Sequence, residues 1–272
     1  MAYFRAGTLA IAVLFFLALT PLQWLALRIR SPFRFWFPRA FGRTFARLLR
    51  LDVRAHYQSR TRGLRILAAN HLSWLDILAF WSVSHFALLT ETVFVDRGQR
   101  HSFPSTNAAI ARRLAAGRSI LIFPEATTGD GLALRKFHSS HFAAADAWLG
   151  LDEASETVFV QPAAIRYSTP AAAWHGEAGL FTHLWLVLKA ATSIRCDLIF
   201  GEPLTYRRGD DRKTMAREAT RAINSLLAAP RSRIVIKTQS GISVKNGTHF
   251  FASRSRESET PKPDRLTADL KS

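Results

Sequence analysis

Short apolar runs that stop abruptly in polar clusters, with helix-patterned stretches between them, constrain this chain more than any other feature. The runs lie near residues 51–57, 64–69, 119–123, 157–166 and 195–200, and each has the length and content of a buried strand. Helical spacing fills the intervals near 73–86, 106–116, 135–148, 180–190 and 211–228. In T-N-A-A-I-A-R-R-L-A-A-G, Thr106 or Asn107 stands where an N-cap belongs, Ile110 and Leu114 lie four apart, and Gly117 fits the stop. Met215, Ala219, Ala222, Ile223, Leu226 and Leu227 form one apolar stripe, whose meaning is core packing. Strands alternating with helices predict an α/β domain.

The N-terminus adds a second constraint. From Gly7 to Leu27 the chain carries no charge, and about 20 apolar residues at 1.5 Å each match a hydrocarbon core of roughly 30 Å. This predicts a membrane helix. No small-x-small cleavage site follows the run, which ends in W-L-A-L-R-I-R, so a removed signal peptide is the weaker reading. Only Arg5 precedes the segment, whereas Arg28, Arg30, Arg34, Arg39, Arg43, Arg47 and Arg50 follow it. By the positive-inside rule the body of the protein then lies on the cytoplasmic side. Pro21 would kink a full span, which leaves a tilted or re-entrant helix as an alternative.

Next comes S-P-F-R-F-W-F-P-R-A-F-G-R-T-F-A-R-L-L-R-L, which interleaves arginines with Phe33, Phe35, Trp36, Phe37, Phe41 and Phe45. Rings at headgroup level with guanidiniums on phosphates describe an interfacial helix. Single-stranded nucleic acid would attract the same residue types, but the adjoining membrane segment favours the bilayer. The balance of 37 Lys plus Arg against 20 Asp plus Glu, a formal +17, calls for anionic partners without choosing among them. The single cysteine, Cys196, excludes an internal disulfide and any multi-cysteine metal site, and its apolar surroundings make it a small core residue. Residues 1–50 are accordingly read as anchor and interfacial helix, 51–230 as the catalytic domain, and 231–272 as a basic extension with a disordered tail.

The chemistry begins at N-H-L-S-W-L-D, Asn70 to Asp76, directly after an apolar run. Residues five apart on a regular helix point about 140° apart, so His71 and Asp76 meet only at a strand-to-helix turn. There the carboxylate accepts one imidazole N–H, fixes the tautomer and leaves the other nitrogen free as a base. A structural histidine beside a capping residue is the commoner meaning of such a spacing taken alone. No G-x-S-x-G occurs, so the hydroxyl that His71 activates belongs to a substrate. A second strand-like run ends in F-P-E-A-T-T-G-D-G with Glu125 at its mouth. A third, V-F-V-D-R, ends in Arg97, a clamp for a phosphate or carboxylate.

These three clusters, in this order, resemble the 1-acylglycerol-3-phosphate acyltransferase family of lysophospholipid acyltransferases, and V-Q-P-A-A-I from Val160 resembles its fourth block. The T-T-G-D-G continuation, with W-H-G-E and F-G-E-P-L further on, is more similar to the bacterial lyso-ornithine lipid acyltransferase branch. The resemblance implies a central mixed sheet flanked by helices. It implies transfer of an acyl group from an acyl carrier protein or coenzyme A thioester to the free hydroxyl of a lyso-lipid, at the cytoplasmic side of a bacterial-type inner membrane. His71 would be the base and Asp76 its orienter. Arg97, Glu125, Thr127, Asn70 and Ser73 would hold the acceptor, with no metal, no cofactor and no nucleic acid involved. The chain departs from the pattern twice. Residues 77–96 are short for the family, and Ala126 stands where it usually has Gly, a change worth about 1–2 kcal/mol if that position takes positive φ. A catalytically inactive lipid-binding relative ranks second among the readings, and a basic nucleic-acid-binding protein third.

Overall fold

The computed structural model describes residues 2–29, 31–58, 65–83, 102–176, 178–230, 236–238 and 241–243. Its core is a six-stranded mixed sheet in the order β1-β5-β4-β2-β3, with β6 also paired to β4. The strands are β1 (Leu51–Tyr57), β2 (Arg65–Ala69), β3 (Ile120–Ile122), β4 (Thr157–Tyr167), β5 (Ile194–Phe200) and β6 (Leu204–Arg207). β2 runs parallel to both β3 and β4, while β5 and β6 lie antiparallel to β4 along successive halves of one edge. Two further short strands, β7 (Ile236–Thr238) and β8 (Gly241–Ser243), pair with each other.

The sheet is buried on both faces because its strands alternate between two apolar clusters. On β2, Leu67 and Ala69 join one cluster while Ile66 and Ala68 join the other. Leu198 and Phe200 of β5 likewise face the first and Ile199 the second. The first face is covered by α1 (Ala2–Ala18), α3 (Trp36–Leu48), α4 (Leu75–Ser82) and α7 (Leu180–Lys189). The second is covered by α5 (Ser102–Ala115), α6 (Ala143–Leu151) and α8 (Arg212–Ala228).

The N-terminal apolar run is two helices rather than one. α1 stops at Ala18 and α2 (Thr20–Arg28) restarts with Pro21 in its first turn, where the missing N–H cannot reach the carbonyl of Leu17. Together they are long and apolar enough to cross a membrane, with a mean hydropathy of 2.1 in the best window. Yet α1 is docked on the domain. Phe16 sits between Phe37, Phe41 and Phe45 of α3, and Arg5 donates to the carbonyl of Leu48 at 3.3 Å and to that of Leu188 at 2.6 Å. One guanidinium thus satisfies C-terminal carbonyls of both α3 and α7. α3 in turn crosses α4 so closely that a Cβ on Gly42 would stand 2.6 Å from that of Trp81.

Two local expectations fail for identifiable reasons. Thr106 and Asn107 do not cap α5, which begins at Ser102 with Pro104 tolerated in its first turn; both are buried, and Asn107 donates to the carbonyl of Ser140. The helix expected from 135 starts only after a 3-10 turn at Ser139–Phe142, because the N–H groups of Arg135 and His138 are drawn to Glu125 and the Pro124 carbonyl. Gly117 does take φ +74, as a helix stop requires. The expected strand ending at Arg97, most of the short 77–96 segment and the tail fall outside the described residues.

Candidate active site

Because β2, β3 and β4 are parallel, their C-terminal ends open on one edge of the sheet, the place where α/β folds build sites from loops. β2 delivers Asn70 and His71, β3 delivers Phe123 to Glu125, and β4 delivers Tyr167 to Thr169.

Asp76 lies in the first turn of α4 and is fully buried. A buried carboxylate must be paired, and this one accepts four hydrogen bonds. Oδ2 takes His71 Nδ1 at 2.9 Å, the Leu72 amide at 2.7 Å and the Ser73 amide at 3.0 Å; Oδ1 takes the Tyr167 hydroxyl at 2.6 Å. The carboxylate therefore fixes the proton of His71 on Nδ1 and leaves the Nε2 lone pair free, with no hydrogen-bond partner among the described residues. The imidazole is further held by stacking on Phe123, with ring centroids 4.1 Å apart.

The loop bearing His71 is tied down on every side. Glu125 Oε1 accepts the His71 amide at 2.7 Å while Oε2 accepts the Arg135 amide at 2.9 Å. Burial pushes the Glu125 carboxyl above its usual range, and those two amides pull it back. The His71 carbonyl accepts from Gly129, and the Leu72 carbonyl from the amide of Trp174. Between Glu125 and Gly129 the backbone turns through Ala126 at φ 62, the left-handed region that favours glycine.

An imidazole oriented by a buried carboxylate, with its outer nitrogen free at the mouth of a parallel sheet, is the constellation for taking a proton from a hydroxyl. The comparisons decide the family. A family model described as Acyltransferase matches residues 81–166. The lyso-ornithine lipid O-acyltransferase of Rhizobium meliloti (strain 1021) is 35% identical over 240 residues, 78% of this chain and 82% of that protein. The chain belongs to the 1-acylglycerol-3-phosphate acyltransferase family. The lyso-ornithine lipid O-acyltransferase of Brucella abortus (strain 2308) is 31% identical over 239 residues, covering 78% of this chain and 89% of its own. The solved structure of the 1-acyl-sn-glycerophosphate acyltransferase PlsC from Thermotoga maritima aligns with a TM-score of 0.46 at 16% identity, over 83% of this chain and 98% of that one.

In this acyltransferase, several residues that the motifs suggested for acceptor binding are engaged elsewhere. Asn70 is buried and pairs at both ends with Ile165, Nδ2 to the carbonyl and Oδ1 from the amide, pinning β2 to β4. Ser73 is fully buried and its hydroxyl accepts from the Leu75 amide at 3.3 Å. Both oxygens of Glu125 are taken by backbone donors, so its observed contacts hold a loop rather than a ligand. Thr127 is half-buried, and Arg97 lies outside the described residues.

Two participants had no signal in the sequence. Tyr167 reaches Asp76 across 91 positions of chain, its hydroxyl pushed well above its ordinary range by burial and by the Asp76 charge. His183 of α7 holds the loop from the other side: its Nδ1 accepts from Trp74 Nε1 at 2.9 Å, which places its own proton on Nε2, 3.2 Å from the Ala173 carbonyl. Burial pushes His183 down, as a neutral ring in that position requires. A cavity of about 450 Å³ opens beside the loop, lined by Leu72, Glu125, Tyr167 and Thr169 among others. His71 is not among the residues that line it, although its neighbours Asn70 and Leu72 are.

Proposed function

We propose that this acyltransferase moves a fatty acyl group from the thioester of an acyl carrier protein or coenzyme A to the free hydroxyl of a lyso-lipid, with lyso-ornithine lipid as the preferred acceptor. His71 Nε2 takes the proton of the acceptor hydroxyl as its oxygen attacks the thioester carbonyl. The imidazolium, stabilised by Asp76, then returns the proton to the departing thiolate as the C–S bond breaks. The observation that carries this reading is the 2.9 Å contact from His71 Nδ1 to the buried Asp76 carboxylate, which leaves Nε2 as the basic nitrogen. The acceptor preference is supported by the activity of the Rhizobium meliloti and Brucella abortus relatives, both lyso-ornithine lipid O-acyltransferases, and by the T-T-G-D-G, W-H-G-E and F-G-E-P-L segments. Arg97 and Thr127 are assigned to the acceptor's head group; Asn70, Ser73 and Glu125 act by ordering the loop.

Membrane attachment fits the same chemistry, since acceptor and product both reside in a bilayer. α1 and α2 leave Ile11, Leu14, Phe15, Leu17, Leu22 and Trp24 exposed to the outside. Both ends of α1 are also held against α3 and α7, so the apolar helices meet lipid as a wall of the domain. The arginines that follow support a cytoplasmic position for the domain by the positive-inside rule.

The test is to incubate the purified full chain with labelled acyl carrier protein or coenzyme A thioesters and a panel of lyso-lipids. His71→Ala should lose roughly 10²- to 10⁴-fold in turnover while keeping the wild-type melting temperature, and Asp76→Asn should lose most activity through the wrong tautomer. Near wild-type turnover of His71→Ala would remove the dyad. Preference for 1-acylglycerol-3-phosphate in the wild type would move the acceptor to the phosphatidate-forming branch. Arg97→Ala should raise the acceptor KM more than it lowers kcat.

A further inference from the structure

α7 carries apolar side chains on its buried and on its exposed surface. Inward it buries His183, Val187 and Leu188; outward it leaves Leu180, Phe181 and Leu186 at 45%, 82% and 51% exposure. Side chains left in water like this forgo part of the roughly 1.5–3 kcal/mol that full burial yields, and an exposed apolar surface of this kind marks a place that something covers. The patch does not stand alone. Trp185 packs its ring 5.0 Å from that of Tyr3 on α1, and Tyr3 and Phe4 are themselves 81% and 79% exposed, so the outer surface of α7 continues into the apolar surface of the N-terminal helices. At the far end of α7, Lys189 Nζ lies 5.6 Å over the Trp185 ring, an aromatic body with a cationic tip suited to the polar boundary of a bilayer.

We propose that α7 is a second membrane-docking element, inserting Leu180, Phe181 and Leu186 among lipid acyl chains beside α1. This rests on the membrane-bound reading above and adds to it a contact far outside residues 1–50. Its consequence lies on the inner face of the same helix. There His183 holds Trp74, which sits between His71 and Asp76, so the element in contact with lipid is also the one that buttresses the loop carrying the base.

The experiment uses the full chain and vesicles of equal parts phosphatidylcholine and phosphatidylglycerol. The double variant Phe181→Asp with Leu186→Asp should bind these vesicles on the order of tenfold or more weakly than wild type. It should slow by a similar factor on vesicle-embedded acceptor and keep its rate on a short-chain acceptor held below its micelle concentration. A second variant guards against misfolding: Phe181→Cys carries an environment-sensitive dye, selectively because Cys196 is buried, and its emission should shift to the blue when vesicles are added. Wild-type binding by the double variant, or a dye that reports water in the presence of vesicles, overturns the role of α7 and leaves the anchor of residues 1–50 standing. Wild-type protein that ignores the vesicles overturns both. Lipid-free self-association abolished by the double variant would assign the face to a second copy instead.

Discussion

On one face of the sheet α8 turns Met215, Ala219, Ile223 and Leu226 inward and Arg212, Lys213, Arg217 and Arg221 outward; on the other, α7 turns Val187 and Leu188 inward and Phe181 and Leu186 outward. Both helices contribute an apolar stripe to the core. They differ in what they present outward, cationic side chains on α8 and apolar ones on α7 and α1. His71 and its carboxylate partner belong to the apolar-clad face, because Asp76 rides on α4, which is wedged between the sheet and α3. The proposed chemistry and the proposed lipid contact therefore share one side of the sheet, while the other side is a solvated scaffold.

Four substitutions, the first with a matched control, sharpen or break that contrast, taken from the largest expected effect to the smallest. Gly42→Ala puts a Cβ against the Trp81 side chain and backbone where α3 crosses α4, and should cost about 1–3 kcal/mol with loss of activity as α4 shifts. On the solvated side the same substitution at Gly150 of α6, where an added Cβ meets nothing within 4 Å, should leave the rate unchanged and raise the melting temperature slightly, because Ala is the better helix former. Equal effects at the two sites would erase the distinction.

His141 probes the solvated face through pH. Burial holds its folded pKa at about 4 against 6.5 for the free side chain, so the folded state refuses a proton that the unfolded chain accepts. Its contribution is therefore complete above about pH 6.5 and is lost as pH falls toward about 4, an effect on the order of 1–3 kcal/mol. Denaturant titrations of wild type and His141→Gln over that window should differ in slope, the variant losing less stability on acidification. Parallel slopes would show that His141 takes up its proton equally in both states.

Tyr167→Phe removes one of the four donors on Asp76. A hydrogen bond to a buried charge is worth about 1.5–3 kcal/mol. Without it the carboxylate holds the imidazole in a looser orientation, so kcat should fall while the acceptor KM stays constant. An unchanged kcat with a lowered melting temperature would make Tyr167 a packing residue only. Ala126→Gly is the mildest change: relieving φ 62 should raise stability by about 0.5–1 kcal/mol, read as a small rise in melting temperature.

The sequence made visible those features that neighbouring residues decide among themselves. The runs that became β1 to β5 show in their apolar content, and α8 shows in its period. The meeting of His71 with Asp76 was legible because five residues across a strand-to-helix turn leave little freedom. The left-handed turn at Ala126 was legible as a condition. β6 was missed, because Leu204 to Arg207 is short and polar on one side and pairs only because β4 presents a free edge there. Thr106 and Asn107 were misplaced as caps, since nothing in their immediate sequence shows that α5 begins a turn earlier and buries them.

What tertiary structure alone decided is which groups the polar side chains find. Asn70, Ser73 and Glu125 carry the residue types of a binding site, yet Asn70 is drawn to Ile165, Ser73 to Leu75, and Glu125 to the amides of His71 and Arg135. Tyr167 and His183 had no local mark and become the outer supports of the loop. The physical reason is that a buried polar group must be paired by whatever donor or acceptor the packed strands bring within reach, and that partner is set by strand order and register rather than by sequence distance. Pattern fixes where a strand ends and a base stands; only the closed sheet fixes what holds the base in place.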